Sequence, residues 1–125
     1  MASTVTERTL LLDGEWITTD EWIEVASPYD GSPVARVAKV GAAETRHAID
    51  AAERAMQTPL TAHERAEILA RVAELLTARA DEAARLICAE AGKPMKAARV
   101  EASRAVSTYT MAAVEACKLA GDKTE

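Results

Sequence analysis

The hydrophobic pattern of this 125-residue chain changes its period at Gly41, and this change is the strongest constraint on the fold. Before Gly41, short aromatic and β-branched runs are separated by turn residues, which favours strands. After Gly41, apolar residues recur with a period near 3.6 almost to the C-terminus, which predicts helices. We therefore predict a strand region over residues 1–41 and a helical region over residues 42–125.

The strand region contains two turn signals. Asp13-Gly14 precedes Glu15-Trp16-Ile17, and this dipeptide strongly favours a two-residue hairpin. Pro28-Tyr29-Asp30-Gly31 places proline and glycine where a four-residue turn prefers them. We predict two or three short strands, drawn from the runs Leu10-Leu11-Leu12, Glu15-Trp16-Ile17, Trp22-Ile23-Glu24-Val25 and residues 33–40.

Three or four helices are predicted to fill the helical region. The first spans about residues 43–56, and Thr58-Pro59 ends it, because the residue before a proline disfavours helix. Thr61-Ala62-His63-Glu64 fits a capping box at the start of the second helix. That helix carries one apolar stripe, predicted to face the core, which consists of Ile68, Leu69, Val72, Leu75 and Leu76.

Glycine and proline separate the later helices. The helical pattern continues to Gly92 with a break between Thr77 and Asp81, and Gly92-Lys93-Pro94 ends one helix and starts the next. The last helix is predicted from Pro94 or Met95 to about Leu119. Its repeating, mostly small residues predict very close packing against neighbouring helices and are Ala98, Ala102, Ala105, Tyr109, Ala112 and Ala116.

Composition and charge argue against two classes of partner. The formal net charge is −5, and lysine and arginine are interspersed with aspartate and glutamate, so a nucleic-acid surface is not expected. The aliphatic run at residues 10–12 is far shorter than the roughly 20 residues of a membrane helix, and residues 1–7 lack the features of a secretion signal. We therefore expect a cytoplasmic protein with no membrane partner.

The residues alone indicate no assembled active site. His47 and His63 have no histidine, cysteine or paired carboxylate at ligand spacing, so both are predicted to be solvated and no metal site is expected. Cys88 and Cys117 are predicted to be reduced packing residues. Gly92-Lys93-Pro94 lacks the upstream glycine and the hydroxyl residue of a phosphate-binding loop. No catalytic or cofactor-binding residue is predicted.

Five groups of residues, taken in their order along the chain, resemble the N-terminal part of the aldehyde dehydrogenase superfamily. They cover nearly the whole chain. Each group alone is a weak signal, but their combination makes coincidence improbable. The groups are Leu12-Asp13-Gly14-Glu15-Trp16, Ser27-Pro28-Tyr29-Asp30-Gly31, Glu64-Arg65 with Ile68-Leu69, Glu90-Ala91-Gly92-Lys93-Pro94, and Arg99-Val100-Glu101 with Arg104-Ala105.

The resemblance implies an α/β fold. The chain would form the N-terminal part of a Rossmann-like cofactor-binding domain, with a short β-hairpin region followed by three or four helices. Residues 1–41 would be an N-terminal extension with the strands, and residues 42–125 the helical part of an incomplete domain. Apolar faces of the chain would then pack against strands and helices that it does not contain.

The implied activity is the NAD(P)-dependent oxidation of an aldehyde, expected to be small and anionic or hydroxylated, to a carboxylic acid. In the family, a cysteine thiolate attacks the aldehyde, hydride passes to NAD or NADP, and the thioester is hydrolysed. The family's catalytic residues and cofactor-binding glycine segment match positions beyond Glu125, and neither Cys88 nor Cys117 matches the nucleophile. We therefore expect the 125-residue chain alone to be inactive and to bind no cofactor, and the complete enzyme to be a homo-oligomer.

Arg104 is the one substrate-binding residue that the resemblance implies. It matches an arginine that binds the anionic group in family members acting on phosphorylated or otherwise anionic aldehydes. The alternative is an ordinary surface ion pair between Arg104 and Glu101, three residues earlier. Residues matching Val25, Ala26 and Glu90 lie near a monovalent cation in other members, which leaves cation binding here open.

A second functional hypothesis belongs to a different class. The chain could be a free-standing helical module whose exposed small-residue face binds a partner or a second copy, without catalysis. A catalytic segment with a cysteine, encoded after residue 125, is required by the enzyme hypothesis only.

Overall fold

The computed structural model describes residues 5–118 of the chain. In this range it contains five strands and four helices. The strands are β1 (Thr6–Arg8), β2 (Leu10–Leu12), β3 (Glu15–Ile17), β4 (Trp22–Ala26) and β5 (Pro33–Ala38). The helices are α1 (Ala42–Met56), α2 (Ala62–Ala78), α3 (Ala80–Ala91) and α4 (Met95–Lys118). Strand and helix residues together confirm the α/β class.

The chain divides into two compact units. The strand unit contains the described residues up to Pro59 together with Ala89–Gly92. The helical unit contains Leu60–Cys88 and the described residues from Lys93 onward. Strands give way to helices between β5 and α1, as the periodicity predicted, yet α1 belongs to the strand unit. The assignment of residues 1–41 and 42–125 to separate regions of a larger domain stays a prediction.

Backbone pairing in the strand unit forms two small sheets. β5 is the central strand of one sheet, where it pairs in parallel with β1 and antiparallel with β4. β2 and β3 form a separate antiparallel hairpin. The prediction of two or three strands was therefore wrong. All four candidate runs form strands, and the prediction also missed β1, whose residues Thr6, Glu7 and Arg8 are all exposed and show no apolar alternation.

The predicted hairpin turn is confirmed. Asp13 has φ of 52° and Gly14 has φ of 83°, and two consecutive positive φ values match the twist of a two-residue hairpin. Arg54 Nη2 of α1 donates to Asp13 Oδ2 at 2.7 Å, which ties the turn to the last helical turn of α1. The turn therefore serves as a contact point within the strand unit as well as a chain reversal.

The helix boundaries follow the local signals in the sequence. Thr61 Oγ1 accepts a hydrogen bond from the Glu64 N–H at 3.2 Å, and Glu64 Oε2 accepts one from the Thr61 N–H at 2.8 Å, which confirms the capping box. α2 and α3 are separated at Arg79, inside the predicted break. Gly92 has φ of 63° between α3 and α4. The predicted end of α4 near Leu119 lies outside the described residues.

Alanines form the buried core. The most deeply buried cluster lies in the helical unit and joins Ala84 of α3 with Ala98 and Ala102 of α4. Ala105 and Ala112 of the predicted seam are half-buried, whereas Tyr109 is exposed. Small side chains let helix backbones approach closely, as the repeated alanines of α4 predicted. The described residues that are buried are Ala35, Ala38, Ala66, Ala73, Ala84, Ala98, Ala102 and Ala116.

The prediction that the apolar stripe of α2 is buried in the core of this chain was wrong. Ile68 is 50% exposed and Leu75 is 46% exposed, whereas the buried residues of α2 are Ala66 and Ala73. The periodicity correctly identified an apolar face, but it did not show what covers that face. Among the described residues, the larger aliphatic side chains of α2 have no cover sufficient to bury them.

Candidate functional site

The site predicted from the sequence lies in an open groove along α4. The groove has a volume of about 480 Å³. It belongs wholly to the helical unit and is lined by Lys93, Ala97, Val100, Glu101, Arg104, Ala105 and Thr108. Arg104 is one of the lining residues and is exposed. The groove lining thus combines two cations, Lys93 and Arg104, and one carboxylate, Glu101, with small and aliphatic side chains.

The ion pairing in this groove differs from the surface pair considered as an alternative. Glu101 Oε2 pairs with Lys93 Nζ rather than with the Arg104 guanidinium. Within residues 5–118, the Arg104 guanidinium forms no ion pair. The Thr108 hydroxyl donates to the Arg104 carbonyl at 3.0 Å, which is a contact with the backbone only. The guanidinium therefore retains its full set of donors for a ligand.

The two cysteines are not arranged as nucleophiles. Cys88 is half-buried, and its Sγ lies 3.9 Å from Met95 Sδ beside the alanine cluster. Cys117 is exposed near the end of α4. A nucleophilic cysteine needs a neighbouring base or a comparable means of forming a thiolate, and a thioether is neither. Cys88 is therefore a packing residue.

The two histidines lie at the surface beside carboxylates. His47 Nε2 is 3.5 Å from Asp13 Oδ2, and His63 Nε2 is 3.3 Å from Glu67 Oε1. Both pairs are more than two-fifths exposed, and each histidine contacts a single carboxylate. In the part of the chain that the structure describes, no group of three or more histidine, cysteine, aspartate or glutamate residues could hold a metal ion.

The connection between β5 and α1 leads from a strand into a helix, which is the kind of position where dinucleotide folds bind phosphate. Gly41 caps α1, but the Glu44 carboxylate accepts the Gly41 N–H at 2.9 Å. The backbone N–H of Glu44 itself, followed by the contact with the Gly41 N–H, lowers the pKa of the Glu44 carboxyl. The Glu44 carboxylate thus occupies the Gly41 N–H at the start of α1.

No described helix is long and apolar enough to cross a membrane.

Comparison with known proteins identifies the family. The model of the aldehyde dehydrogenase family matches residues 16–125. The chain belongs to the aldehyde dehydrogenase family. The match includes every helix and all of the strands after β2 except the first residue of β3, so the resemblance predicted from five short motifs is confirmed.

Curated relatives are semialdehyde and related dehydrogenases. The chain is 42% identical over 116 residues to the succinate-semialdehyde dehydrogenase [NADP(+)] of Escherichia coli, which covers 90% of this chain and 24% of that protein. It is 40% identical to the glutarate-semialdehyde dehydrogenase of Pseudomonas putida, over 89% of this chain and 24% of that protein. The chain thus spans about a quarter of the length of these relatives.

Solved structures of the family contain the same fold. An NADP-dependent enzyme of E. coli matches with a TM-score of 0.86 and 39% identity, over 97% of this chain and 26% of that chain. Aldehyde dehydrogenase 21 of Physcomitrella patens, solved with the reaction product succinate, matches with a TM-score of 0.89 and 30% identity, over 96% and 26%. The arrangement of strands and helices described above is therefore that of aldehyde dehydrogenases.

Sequence reasoning missed the contact between Lys93 and Glu101. These residues are eight apart, and Lys93 precedes the first residue of α4, so the spacing rules for helix surfaces do not pair them. The available signal was the presence of two cations near a single carboxylate. In the described residues, the Glu101 carboxylate pairs with Lys93 and not with Arg104.

Proposed function

We propose that this chain is the N-terminal part of an NAD(P)-dependent aldehyde dehydrogenase that oxidises a small anionic or hydroxylated aldehyde to a carboxylic acid. Arg104 binds the anionic group of the substrate. The observation that carries this role is the exposed Arg104 guanidinium, which lies in a groove where the one neighbouring carboxylate is paired elsewhere.

Family membership and the substrates of the relatives support the proposal. The relatives include dehydrogenases of succinate semialdehyde, glutarate semialdehyde and 3-sulfolactaldehyde, and each of these aldehydes carries a second, acidic group. Other relatives are lactaldehyde dehydrogenases, whose substrate is hydroxylated and uncharged. An anionic aldehyde is therefore the first candidate and a hydroxylated aldehyde the second.

The chemistry of arginine explains the choice of residue. A guanidinium stays charged at any physiological pH and donates two parallel hydrogen bonds to a carboxylate or sulfonate. Such a contact fixes the direction of a short substrate as well as its affinity, so the aldehyde end is oriented away from α4. The cysteine nucleophile, the base and the cofactor site belong to positions that this chain does not supply, and no catalytic step is assigned to its residues.

The test compares the 125-residue chain with the product of the complete reading frame. NADH and NADPH formation is measured with succinate semialdehyde, lactaldehyde and propionaldehyde. We expect activity in the longer product only. We expect Arg104→Ala to lower kcat/KM for succinate semialdehyde about tenfold to a hundredfold, the usual range for a lost charged hydrogen bond. Activity toward propionaldehyde should be unchanged.

Arg99 offers a matched control on the same helix. It is exposed and its Nε lies 3.4 Å from Asp81 Oδ1, outside the groove of Arg104. Arg99→Ala removes the same charge from α4 and should leave kcat/KM for succinate semialdehyde within about twofold. Equal effects of the two substitutions, or no effect of Arg104→Ala on any anionic aldehyde, would remove Arg104 from the substrate site.

The cellular setting of the complete enzyme is part of the same proposal. We propose a cytoplasmic homo-oligomer, on the basis of the family and of the sequence features described above. Light scattering of the complete product measures its mass directly, and a monomeric mass at micromolar concentration would refute the oligomer.

The helical interaction module remains a second candidate because of one observation. Leu75 of α2 and Leu86 of α3 are about half exposed, and together with Val72 and Leu76 they line an apolar groove of about 300 Å³. Absence of aldehyde-oxidising activity in the complete product, together with a stable self-associated 125-residue chain, would favour this module over the enzyme.

A further inference from the structure

Lys93 and Glu101 form a contact whose position has consequences for Arg104. Lys93 Nζ pairs with Glu101 Oε2, and both side chains line the groove that contains Arg104. The pair is half exposed, with relative exposures of 45% for Lys93 and 51% for Glu101. An exposed pair of this kind contributes little to folding stability. The pair is therefore of interest mainly for its effect on the neighbouring charge of Arg104.

Glu101 is also a natural partner for Arg104. The two residues are three apart on α4, so their side chains are neighbours on the helix surface. A glutamate that precedes an arginine by three or four positions on a helix attracts it. If Glu101 paired with Arg104, its carboxylate would occupy the donors that an anionic ligand needs. In the described residues, the Glu101 carboxylate forms its ion pair with the Lys93 ammonium instead.

We propose that Lys93 is a positioning residue for substrate binding, which holds the Glu101 carboxylate away from Arg104 and so keeps the guanidinium available to the anionic group of the aldehyde. This inference rests on the proposed function of Arg104. It adds a specificity-determining role for Lys93 and Glu101, neither of which needs to touch the substrate. The competition is between two carboxylates for one guanidinium.

Lys93 could also attract the anionic substrate directly, and this effect must be distinguished from the positioning of Glu101. Lys93 is itself a cation in the groove, and its removal weakens the attraction for any anion through space. That direct effect operates whether or not residue 101 carries a charge. The proposed effect operates only while Glu101 can compete for Arg104. The two explanations therefore predict different results when Glu101 is neutral, which a double-mutant cycle measures.

The test uses the product of the complete reading frame and the variants Lys93→Met, Lys93→Arg, Glu101→Gln and Lys93→Met/Glu101→Gln. KM and kcat are measured with succinate semialdehyde and with propionaldehyde. Lys93→Met should raise KM for succinate semialdehyde about two- to fivefold, as expected for an exposed charge pair, with kcat unchanged. Lys93→Arg should keep the KM of the parent protein, because arginine also pairs with Glu101.

The double variant decides between the explanations. In the Glu101→Gln background, Lys93→Met should change KM for succinate semialdehyde by less than about 1.5-fold, because the competitor is already neutral. The same two- to fivefold rise in that background would overturn the proposal in favour of a direct charge effect. An equal rise in KM for propionaldehyde, or no rise in any background, would also overturn it. Succinate affinity, measured by titration calorimetry, provides a second readout that does not require turnover.

Arg104→Ala distinguishes the substrate-binding role of Arg104 from the positioning role of Lys93. If Arg104→Ala leaves the KM for succinate semialdehyde unchanged, the proposed function of Arg104 fails. If Arg104→Ala raises this KM but Lys93→Met does not, only the role of Lys93 fails. If both raise it, Lys93→Met in the Arg104→Ala background should have no further effect beyond about 1.5-fold, because the residue that it positions is absent.

Discussion

The strand unit and the helical unit are stabilised in different ways. In the strand unit, α1 has no buried residue, the described buried residues are Ala35 and Ala38 of β5, and the Arg54–Asp13 and Lys39–Glu21 ion pairs lie at the surface. In the helical unit, alanines of α2, α3 and α4 are buried against one another. Exposed ion pairs are screened by water and tolerate change. Closely packed alanines leave no room for a larger side chain, so the two units should respond very differently to substitution.

In α2, large aliphatic side chains are exposed while small alanines are buried. Leu75 is 46% exposed although it is far larger than the buried Ala73, two residues earlier. Burial in this chain follows the need for close helix approach rather than side-chain hydrophobicity. This chain spans about a quarter of the length of its aldehyde dehydrogenase relatives, and exposed apolar faces often mark contact surfaces.

The largest effect is expected from Ala98→Leu in the helical unit. Ala98 is completely buried against Ala84 and Ala102, so a leucine must displace a helix. Overpacking of this kind costs about 2–3 kcal/mol of unfolding free energy. Urea unfolding of the 125-residue chain, followed by circular dichroism, measures the change.

Ala97→Leu is the matched control for Ala98→Leu. Ala97 is the preceding residue of α4 and is exposed, so the same substitution should change the unfolding free energy by less than about 0.5 kcal/mol. Equal losses at the two positions would show that the alanine cluster is not closely packed in solution. That result would remove the distinction between the two units.

A smaller effect is expected from Gly92→Ala in the strand unit. Gly92 has φ of 63°, and an added Cβ would lie 3.1 Å from Pro28 Cγ. A left-handed alanine costs about 1–2 kcal/mol, and the close contact adds to this strain. Thermal unfolding should therefore occur at a lower temperature.

Gly31 separates the two causes of the loss at Gly92. Gly31 has φ of 71°, but nothing lies within 4 Å of an added Cβ. Gly31→Ala should show the backbone strain alone and be the milder of the two substitutions. If Gly31→Ala is at least as destabilising as Gly92→Ala, the contact with Pro28 contributes nothing, and the strand unit is less closely packed there than the structure indicates.

Local signals made the helix and turn boundaries predictable from the sequence, because their causes lie within a few residues. The Asp13-Gly14 hairpin, the Thr61 cap and the glycine stop at Gly92 are all of this kind. β1 was not predictable, because its parallel pairing with β5 joins residues 29 apart in the chain and its side chains are polar. Parallel pairing leaves no turn signal in the sequence.

The candidate site was predictable only in part. Family resemblance directed attention to Arg104, whereas helix spacing favoured a pair with Glu101 that the described residues do not form. The partner of Glu101 is Lys93, which lies before α4 and is brought to the groove by the turn after α3. Spacing rules describe a single regular helix, so they do not account for a residue outside it.

The third prediction concerns the cap of α2. Thr61→Ala removes the hydroxyl that accepts the Glu64 N–H and should cost about 1 kcal/mol of unfolding free energy. Thr58→Ala is the control, since its hydroxyl makes no hydrogen bond in the described part of the chain. Chemical denaturation of both variants makes the comparison. A loss at Thr58 as large as that at Thr61 would contradict a specific capping role.

The smallest effect is expected from the Glu21–Lys39 pair of the strand unit. Lys39 Nζ donates to Glu21 Oε2 at 2.7 Å, and this contact lowers the pKa of Glu21 and raises the pKa of Lys39. A carboxyl with a lowered pKa stabilises the fold above its unfolded-state pKa and loses this effect as the pH falls through the folded-state value. An ammonium with a raised pKa contributes stability below its unfolded-state pKa and loses it as the pH rises through its folded-state value.

Glu21→Gln should therefore lower the melting temperature slightly near neutral pH, and the difference from the parent chain should vanish in acid and again in strong alkali. Glu24→Gln on β4 is the matched control, because Glu24 forms no ion pair within residues 5–118. A difference that persists unchanged in acid, where the Glu21 carboxyl is protonated, would mean that the glutamine perturbs the strand itself. A difference as large as that of Ala98→Leu would overturn the comparison, because the strand unit would then depend on a surface charge as strongly as the helical unit depends on its buried alanines.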